Sequence, residues 1–334
     1  MGRVSLNDLA VRLGVSKMTV SRALRGGKHV EASLKERIVR MAEKMGYRPD
    51  PEIAKLMRHM RQAREVAEPR TLAFVWAERG AEEIGRSSWS QQLVLGARRQ
   101  AAKLGFQLEE FHLAARGMTG RRLSEILEAR GIPGFILSPL VSRSRGHVSM
   151  AWEKFCSVVI GLGYARPQLH RVHHHHYLGM MTALRMLKKQ RYKRIGFYCG
   201  STINERMFRA WSASFLAHHP LAEPGKLLAL RKVPSRGDFL DWVKTVKPEV
   251  VIDGGHVVKG WLESLPAGRR PEHVTLGWRA DMAEVAGIDQ QAAVLGAAAV
   301  DLLVTQYQQN ERGVPGSPKI VMTEGVWRGA ENAG

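Results

Sequence analysis

Residues 4–24 read VSLNDLAVRLGVSKMTVSRAL, and this stretch decides the fold of the N-terminal part of the chain. Ser5 followed by Asp8 is the pattern of a capping box, and it opens a run of apolar residues at helical spacing. Gly14 permits a tight turn, and Ser16 is a good N-cap for a second helix. The stretch therefore predicts two short helices joined by a tight turn.

A third helix is predicted further along, where apolar residues again recur at helical spacing before Gly46. Three short helices with this turn are typical of a helix-turn-helix unit, which we place at residues 1–47. Residues 48–70 form a linker with a short basic helix that begins at Pro51. So short a helix is marginal in water, and we expect it to fold only when it is docked.

The start of the second helix carries residues suited to reading DNA bases. Lys17 and Arg22 can donate hydrogen bonds to guanine in the major groove, and Met18 can contact a thymine methyl group. Other head residues are candidates for contacts to the DNA backbone, which position a protein without specifying sequence. They are Ser5, Leu6, Ser16, Thr19, Ser21, Arg25, His29 and Tyr47. The alternative is a solvated basic helix in an unrelated helical module.

The head resembles that of the lactose-repressor (LacI/GalR) family along its whole length. The matching residues are 4–10, 13–16, 19–24, 30 and 46–49. The resemblance implies that Lys17, Met18 and Arg22 read bases. It also implies that Leu56 is the hinge-helix leucine, which wedges into the minor groove together with its copy in a dimer.

The composition fits a partner that is a polyanion. The 334 residues carry a formal net charge of +20, and residues 1–70 hold 16 Lys and Arg against 8 Asp and Glu. Two distant cysteines imply no disulfide framework. The chain shows no apolar signal region and no run long enough to span a bilayer, so we expect a cytoplasmic protein with no membrane partner.

From Thr71 onward, strand and helix patterns alternate, which predicts doubly wound parallel sheets. The expected fold class is an all-α helix-turn-helix head followed by an α/β body. The resemblance implies that this body has two lobes, like a periplasmic binding protein. We place the body at residues 71–334, with lobe 1 at about 71–162 and 292–322 and lobe 2 at about 163–291 and 323–334. The chain would cross between the lobes near 162–166, 288–292 and 322–325.

A small-molecule effector is expected between the two lobes, because ligands bind at the carboxyl ends of parallel strands. The candidate effector-binding residues are Trp76, Trp89, His175, Arg206, Arg209, Trp278 and Gln291. Trp76 and Trp278 end predicted strands. The resemblance implies a stacking aromatic near Trp89 and an arginine near 206–209. The alternative for each tryptophan is packing in a core or between lobes.

Two departures from the family pattern bear on the effector. His175-His176 stands where an Asp-Asn pair is usual, and Gly255-His256 stands where an Asn-Asp pair is usual. Two customary anchors for sugar hydroxyls are therefore missing, and the effector is expected to be carbohydrate-like without being a plain hexose.

Four consecutive histidines, His173 to His176, with His170 close by, form the chain's most unusual motif. Neighbouring side chains in a strand or loop point in different directions, and no Cys or carboxylate cluster accompanies them in sequence. We interpret the run as a polar segment at the lip of the cleft and expect no metal and no cofactor. A pH-sensitive cleft is a further hypothesis.

The sequence favours a DNA-binding transcription regulator over other classes of protein. The resemblance to the lactose-repressor family implies that this regulator is a repressor. An enzyme is disfavoured because the dinucleotide, Walker A and nucleophile-elbow motifs are missing. A periplasmic binding protein is disfavoured by the basic head. An architectural DNA-binding protein with a degenerate effector site stays open. The expected partners are a pseudo-palindromic operator, a carbohydrate-like effector and a second copy of the chain in a homodimer.

Overall fold

The computed structural model describes residues 4–24, 30–47, 70–78, 88–140, 146–255 and 258–330. The proposed hinge helix with Leu56 lies outside these residues, as do the candidate DNA-contacting residues Arg25 and His29.

The head is a three-helix unit, with α1 at Leu6–Leu13, α2 at Lys17–Leu24 and α3 at Ala32–Lys44. The predicted capping box is present. The backbone nitrogen of Ser5 donates to Asp8 Oδ2 at 2.8 Å, and the backbone nitrogen of Asp8 donates to Ser5 Oγ at 3.3 Å. Gly14 has a φ of +68°, a conformation that glycine adopts without strain, and it allows the turn into α2.

A small apolar core holds the three helices together. Its fully buried members are Leu9, Ala10, Val20, Ala23, Ile38 and Ala42. All three helices contribute to it, so each helix turns one face inward. The opposite face of α2 is thereby left for solvent or a partner.

The first lobe of the body contains a six-stranded, wholly parallel sheet. Its strands are β1 (Arg70–Trp76), β2 (Phe106–His112), β3 (Gly134–Leu137), β5 (Cys156–Ile160), β7 (His170–His174) and β13 (Ile320–Thr323), in the order β13-β7-β5-β3-β1-β2. Its helices are α4 (Ser88–Lys103), α5 (Gly120–Ala129) and α11 (Ala292–Gln309).

Helices α4 and α11 pack backbone against backbone on one face of this sheet. A Cβ atom on Gly96 would lie 2.0 Å from the carbonyl oxygen of Ala293, and a Cβ on Gly296 would lie 2.0 Å from that of Leu93. Only glycine fits at these two positions.

The second lobe contains another six-stranded sheet, parallel except for its last strand. Its strands are β8 (Ile195–Gly200), β9 (Leu228–Arg231), β10 (Val250–Asp253), β11 (Glu272–Thr275), β12 (Ala286–Asp289) and β14 (Val326–Arg328), in the order β14-β12-β11-β10-β8-β9. Its helices are α6 (His176–Lys189), α7 (Ser201–Arg206), α8 (Ala210–His218), α9 (Arg236–Val246) and α10 (Val258–Leu262). The remaining strands, β4 (Gly146–His147) and β6 (Tyr164–Arg166), form a two-stranded sheet of their own.

The chain passes between the two sheets three times. The second passage, between Asp289 and Ala292, and the third, between Thr323 and Val326, lie where the sequence predicts them. The first lies between His174 and His176 rather than at 162–166, because β7 still pairs with β5 and β13 in the first sheet. Residues 163–174 therefore belong to the first lobe and not to the second.

The histidine run is not a segment at the lip of the cleft, and that interpretation is wrong. His170, His173 and His174 belong to β7, an interior strand whose five residues are all buried. His176 is the first residue of α6 and is also buried. A neutral imidazole fits such a place because it can be desolvated at moderate cost.

Candidate functional site

Helix α2 presents the three predicted base-reading residues to solvent. Lys17, Met18 and Arg22 are exposed, and 62% of the surface of Met18 is accessible. Val20 and Ala23 are fully buried on the other side of the helix. The packing of these two residues fixes the outward direction of the other three.

Ser16 caps α2, as the sequence predicts. Its Oγ accepts a hydrogen bond from the backbone nitrogen of Thr19 at 3.0 Å and lies 2.8 Å from Thr19 Oγ1. Ser5 has a similar structural role at the start of α1. The exposed N-terminus of α2 is a favourable place for an anion such as a DNA phosphate. Three further backbone-contact candidates, Leu6, Ser21 and Tyr47, are half-buried.

A cavity of about 330 Å³ lies between the two lobes of the body, a size at the lower end of small-molecule sites. Three tryptophans line it, Trp76 and Trp89 from the first lobe and Trp211 from the second. The other lining residues among those that the structure describes are Ser90, Pro139, Leu140, Ile160, Gly161, Leu162, Gly163, His173, His174, His176, Ile203, Arg206, Met207, Gly254, Gly255, Gly277, Arg279, Gln290 and Leu295.

A hydrogen bond to Glu110 holds the Trp76 ring in place. The ring is 3% exposed, and its Nε1 donates to Glu110 Oε2 at 2.7 Å. Arg98 in turn binds the other oxygen of that carboxylate at 2.6 Å. The indole N–H is therefore already used, and the ring can offer a ligand only an apolar surface.

Two arginines of the second lobe reach the cavity. Arg206 ends α7, and its burial lowers the pKa of the guanidinium while the negative charge of Glu78 from the first lobe raises it. Arg279 Nε lies 3.2 Å from Asp281 Oδ1, which also accepts a hydrogen bond of 3.1 Å from Ser88 Oγ at the start of α4. Polar contacts thus bridge the two lobes beside the cavity.

The three histidines that line the cavity are held uncharged. Burial lowers the pKa of His173, lowers that of His174 to about 4, and lowers that of His176 well below its ordinary value. The rings of His173 and His176 stack with centroids 6.0 Å apart, and His176 meets Trp211 edge to face. At neutral pH these side chains form a polar but neutral wall.

Two of the predicted effector residues instead belong to the connections between the lobes. His175 is the N-cap of α6, and its Nδ1 accepts a hydrogen bond from the backbone nitrogen of Leu178 at 3.3 Å. Gln291 has a φ of +53°, and its Nε2 donates to the carbonyl oxygen of Glu324 at 2.9 Å. Neither residue lines the cavity.

The other two predicted residues outside the cavity lining are Arg209 and Trp278. The Arg209 side chain is 74% exposed and lies 3.9 Å from the Glu205 carboxylate. The Trp278 ring is covered by the guanidinium of Arg328, with 5.4 Å from its central carbon to the ring centroid. Of the seven predicted effector residues, the cavity brings together Trp76, Trp89 and Arg206.

Sequence reasoning missed several lining residues, above all Trp211, Arg279 and Gln290. Gly254 and Gly255, which also line the cavity, follow the buried Asp253 at the end of β10. The Asp253 carboxylate accepts a hydrogen bond of 2.6 Å from the backbone nitrogen of Gly255. It therefore shapes this loop rather than lining the cavity. The position of these glycines after a buried strand was the signal available in the sequence.

Both cysteines of the body are buried. Burial raises the pKa of Cys156 to about 11 and that of Cys199 to about 12, so both thiols are protonated and unreactive at neutral pH. Within the described ranges, no group of three or more His, Cys, Asp or Glu side chains is arranged to hold a metal ion. Over the same part of the chain, no helix is long and apolar enough to cross a membrane.

Comparison with known proteins gives the class of the head and the fold of the whole. Residues 5–50 match the family model for bacterial regulatory proteins of the lacI family. The match covers the head alone, and it identifies residues 5–50 as a domain of that family type. A sequence comparison with curated proteins found no match.

Solved structures of the same fold include three transcription regulators. The regulator CelR in complex with cellobiose is 19% identical with a TM-score of 0.59, and the match covers 99% of this chain and 100% of that one. The lac repressor dimer bound to operator and the anti-inducer ONPF is 16% identical with a TM-score of 0.53, over 98% of each chain. A ribose operon repressor from Burkholderia thailandensis is 15% identical with a TM-score of 0.57, over 78% of this chain and 98% of that one.

Proposed function

We propose that this chain is a homodimeric transcription repressor that binds a pseudo-palindromic operator through α2. A small molecule that occupies the cleft would lower or raise the affinity of the protein for this operator. Each half-site would be read by Lys17, Met18 and Arg22 of one subunit. The protein is not proposed to catalyse a reaction, and it is expected to act in the cytoplasm.

The observation that carries this proposal is the outward face of α2 in a head that matches the lacI family model. Lys17 and Arg22 are donors suited to guanine, and the exposed Met18 is suited to a thymine methyl group. The helix is anchored by buried Val20 and Ala23, so its polar face is rigidly presented. A charge of +20 adds a sequence-independent attraction to the phosphates.

Control by a small molecule is supported by the cavity between the lobes. A ligand there would touch Trp89 of the first lobe and Arg206 of the second at once. A ligand that prefers one arrangement of the lobes would shift the population toward it. The carbohydrate-like effector expected from the family resemblance is one class that such a cavity admits.

The test is selection of binding sites from random double-stranded DNA with the full-length protein. We expect one pseudo-palindrome to be enriched, with half-sites about one helical turn apart. The selected site is then used in affinity measurements with and without candidate ligands, at a fixed salt concentration because binding to phosphates depends on salt.

Two outcomes would count against the proposal. If no sequence is enriched and binding depends only on salt, the protein is an architectural DNA binder. If a palindrome is enriched but ligands that occupy the cleft do not change the affinity of the protein for it, the protein binds DNA as proposed. The proposal that the cleft controls this binding is then wrong.

A further inference from the structure

We propose that the ligand of the cleft is an organic acid: a flat, largely apolar ring that carries a carboxylate. This inference rests on the proposed function of the cleft as the effector site and narrows the class of its ligand. It departs from the carbohydrate-like effector that the family resemblance implies.

The charged side chains in the described lining of the cavity are the two arginines, and these are donors only. Among the described lining residues there is no Asp, Glu or Asn, whereas Arg206 and Arg279 each carry a guanidinium, a group with five N–H donors and no acceptor. Gln290 already donates its Nε2 to the carbonyl oxygen of Leu276 at 2.7 Å. A complementary ligand must therefore supply acceptors, and an ionised carboxylate is a group that only accepts.

A neutral sugar is a poor match for such a lining. Each of its hydroxyls donates as well as accepts, and a buried hydroxyl whose proton finds no acceptor loses free energy. Carboxylate and amide side chains are the usual partners for those protons. Of these groups, the described lining holds only the Gln290 amide, beside the single acceptor nitrogen of each neutral histidine.

The rest of the lining favours a flat apolar ring. Trp76, Trp89 and Trp211 come from both sides of the cavity, with Ile203, Met207 and Leu295 among the aliphatic residues. The indole N–H of Trp76 is occupied by Glu110, so its ring offers an apolar surface alone. Offset or edge-to-face contacts with such rings stabilise an aromatic ligand beyond the burial of its area.

Each arginine has a carboxylate neighbour from the protein. The charge of Glu78 acts on Arg206, and Asp281 lies 3.2 Å from Arg279 Nε. A guanidinium has five donors in a planar fork, so one carboxylate does not saturate it. Burial lowers the pKa of Arg206, and a ligand carboxylate would compensate that cost.

The experiment compares acids with neutral compounds of the same shape on the full-length protein. Benzoate and benzamide form one pair, and indole-3-acetate and indole-3-acetamide form another. Glucose and glucuronate test the sugar class and the need for an apolar ring. Because three tryptophans line the cavity, binding is followed by intrinsic fluorescence and confirmed by calorimetry.

We expect each aromatic acid to bind at least about tenfold more tightly than its amide, and more tightly than glucuronate or glucose. In Arg206→Gln and Arg279→Gln the preference for acid over amide should disappear, while Arg206→Lys should retain part of it. Arg185→Gln removes the same charge from an exposed position of α6 outside the cavity and should leave the preference intact.

Equal affinity for acid and amide, tighter binding of either sugar compound, or failure of both aromatic acids to bind would each overturn the inference. These results differ from failure of the proposed function. If glucose binds and changes operator affinity, the cleft is an effector site and only the ligand class is wrong. If an aromatic acid binds without changing operator affinity, the ligand class holds and control of DNA binding fails.

Discussion

The backbone nitrogen of His175 donates a hydrogen bond to the carbonyl oxygen of Thr323 at 2.9 Å, which joins the first and third connections between the lobes. The Gln291 side chain joins the second connection to the third through the carbonyl oxygen of Glu324. The three connections are therefore hydrogen-bonded to one another. Any closure of the lobes must bend them together, as in hinge motions around a bound ligand.

Replacing Gln291 by alanine should loosen this hinge. In Gln291→Ala the backbone at position 291 still has a positive φ, but the hydrogen bond to the carbonyl oxygen of Glu324 is lost. We therefore expect the free energy of unfolding to fall by about 1 kcal/mol. Gln291→Gly loses the same bond but relieves the backbone, so it should be less destabilising than alanine by about 1 kcal/mol. Urea unfolding of both variants measures the difference. Equal stability of the two would show that the backbone at 291 is not strained.

The His174 ring fills the space beside Gly179. A Cβ on Gly179 would lie 2.6 Å from His174 Nε2, and its next non-histidine neighbour, Ile288 Cγ2, is 3.6 Å away. Gly179→Ala should therefore destabilise the protein by about 1–3 kcal/mol through overpacking. The double variant Gly179→Ala, His174→Ala should be clearly less destabilised than the sum of the two single variants, because the second change removes the clashing ring.

A matched glycine serves as the control for that experiment. Gly237 lies in the first turn of α9, and a Cβ there would meet no atom within 4 Å. Gly237→Ala should leave stability unchanged or raise it by up to about 1 kcal/mol. If the effects of Gly179→Ala and His174→Ala on the free energy of unfolding are additive, the His174 ring does not fill the space beside Gly179.

Most elements of the fold could be predicted because their signals are local. The head follows from caps and a glycine turn, and the alternation of strand and helix patterns from Thr71 onward predicts the mostly parallel sheets that are observed. Apolar runs flanked by polar residues predict strands such as β1. Strand β7 has no such run, since four of its five residues are His or Arg. Its burial depends on tertiary packing, which local patterns do not contain.

The cleft was predicted less completely, for a physical reason. Its position at the carboxyl ends of strands follows from parallel-sheet topology, and Trp76 could be found that way. Trp211 and Arg279 come from segments 68 residues apart that meet only in the folded second lobe. His175 and Gln291 occupy the connections between lobes, where a polar residue binds backbone as readily as ligand.

Arg22 is predicted to read one base in each half-site. Arg22→Ala should weaken binding to the selected operator by about 1–3 kcal/mol and relax the base preference at that position. Arg37→Ala is the matched control, since it removes the same charge from an exposed position of α3. It should change affinity for all sequences alike. Competition binding against operators with single base changes separates the two effects, and equal profiles for both variants would contradict the role of Arg22.

The buried histidines should make the protein sensitive to mild acid. Burial lowers the pKa of His174 to about 4 and that of His176 well below its ordinary value. Between about pH 6.5 and pH 4 the unfolded chain takes up protons that the folded protein does not, so stability is lost as the pH falls. For His174 alone the loss amounts to roughly 3 kcal/mol across that range. The free energy of unfolding, measured by urea at several pH values, gives the slope.

The variant His174→Asn isolates this contribution. It removes one titrating group, so the slope should decrease by about 1.4 kcal/mol per pH unit between about pH 4.5 and pH 6. Leu187→Val is the control, because Leu187 is buried in the second lobe and its truncation destabilises without removing a titrating group. Its slope should equal that of the wild type. If His174→Asn also keeps the wild-type slope, His174 is protonated in the folded protein and the wall of the cleft is charged, not neutral.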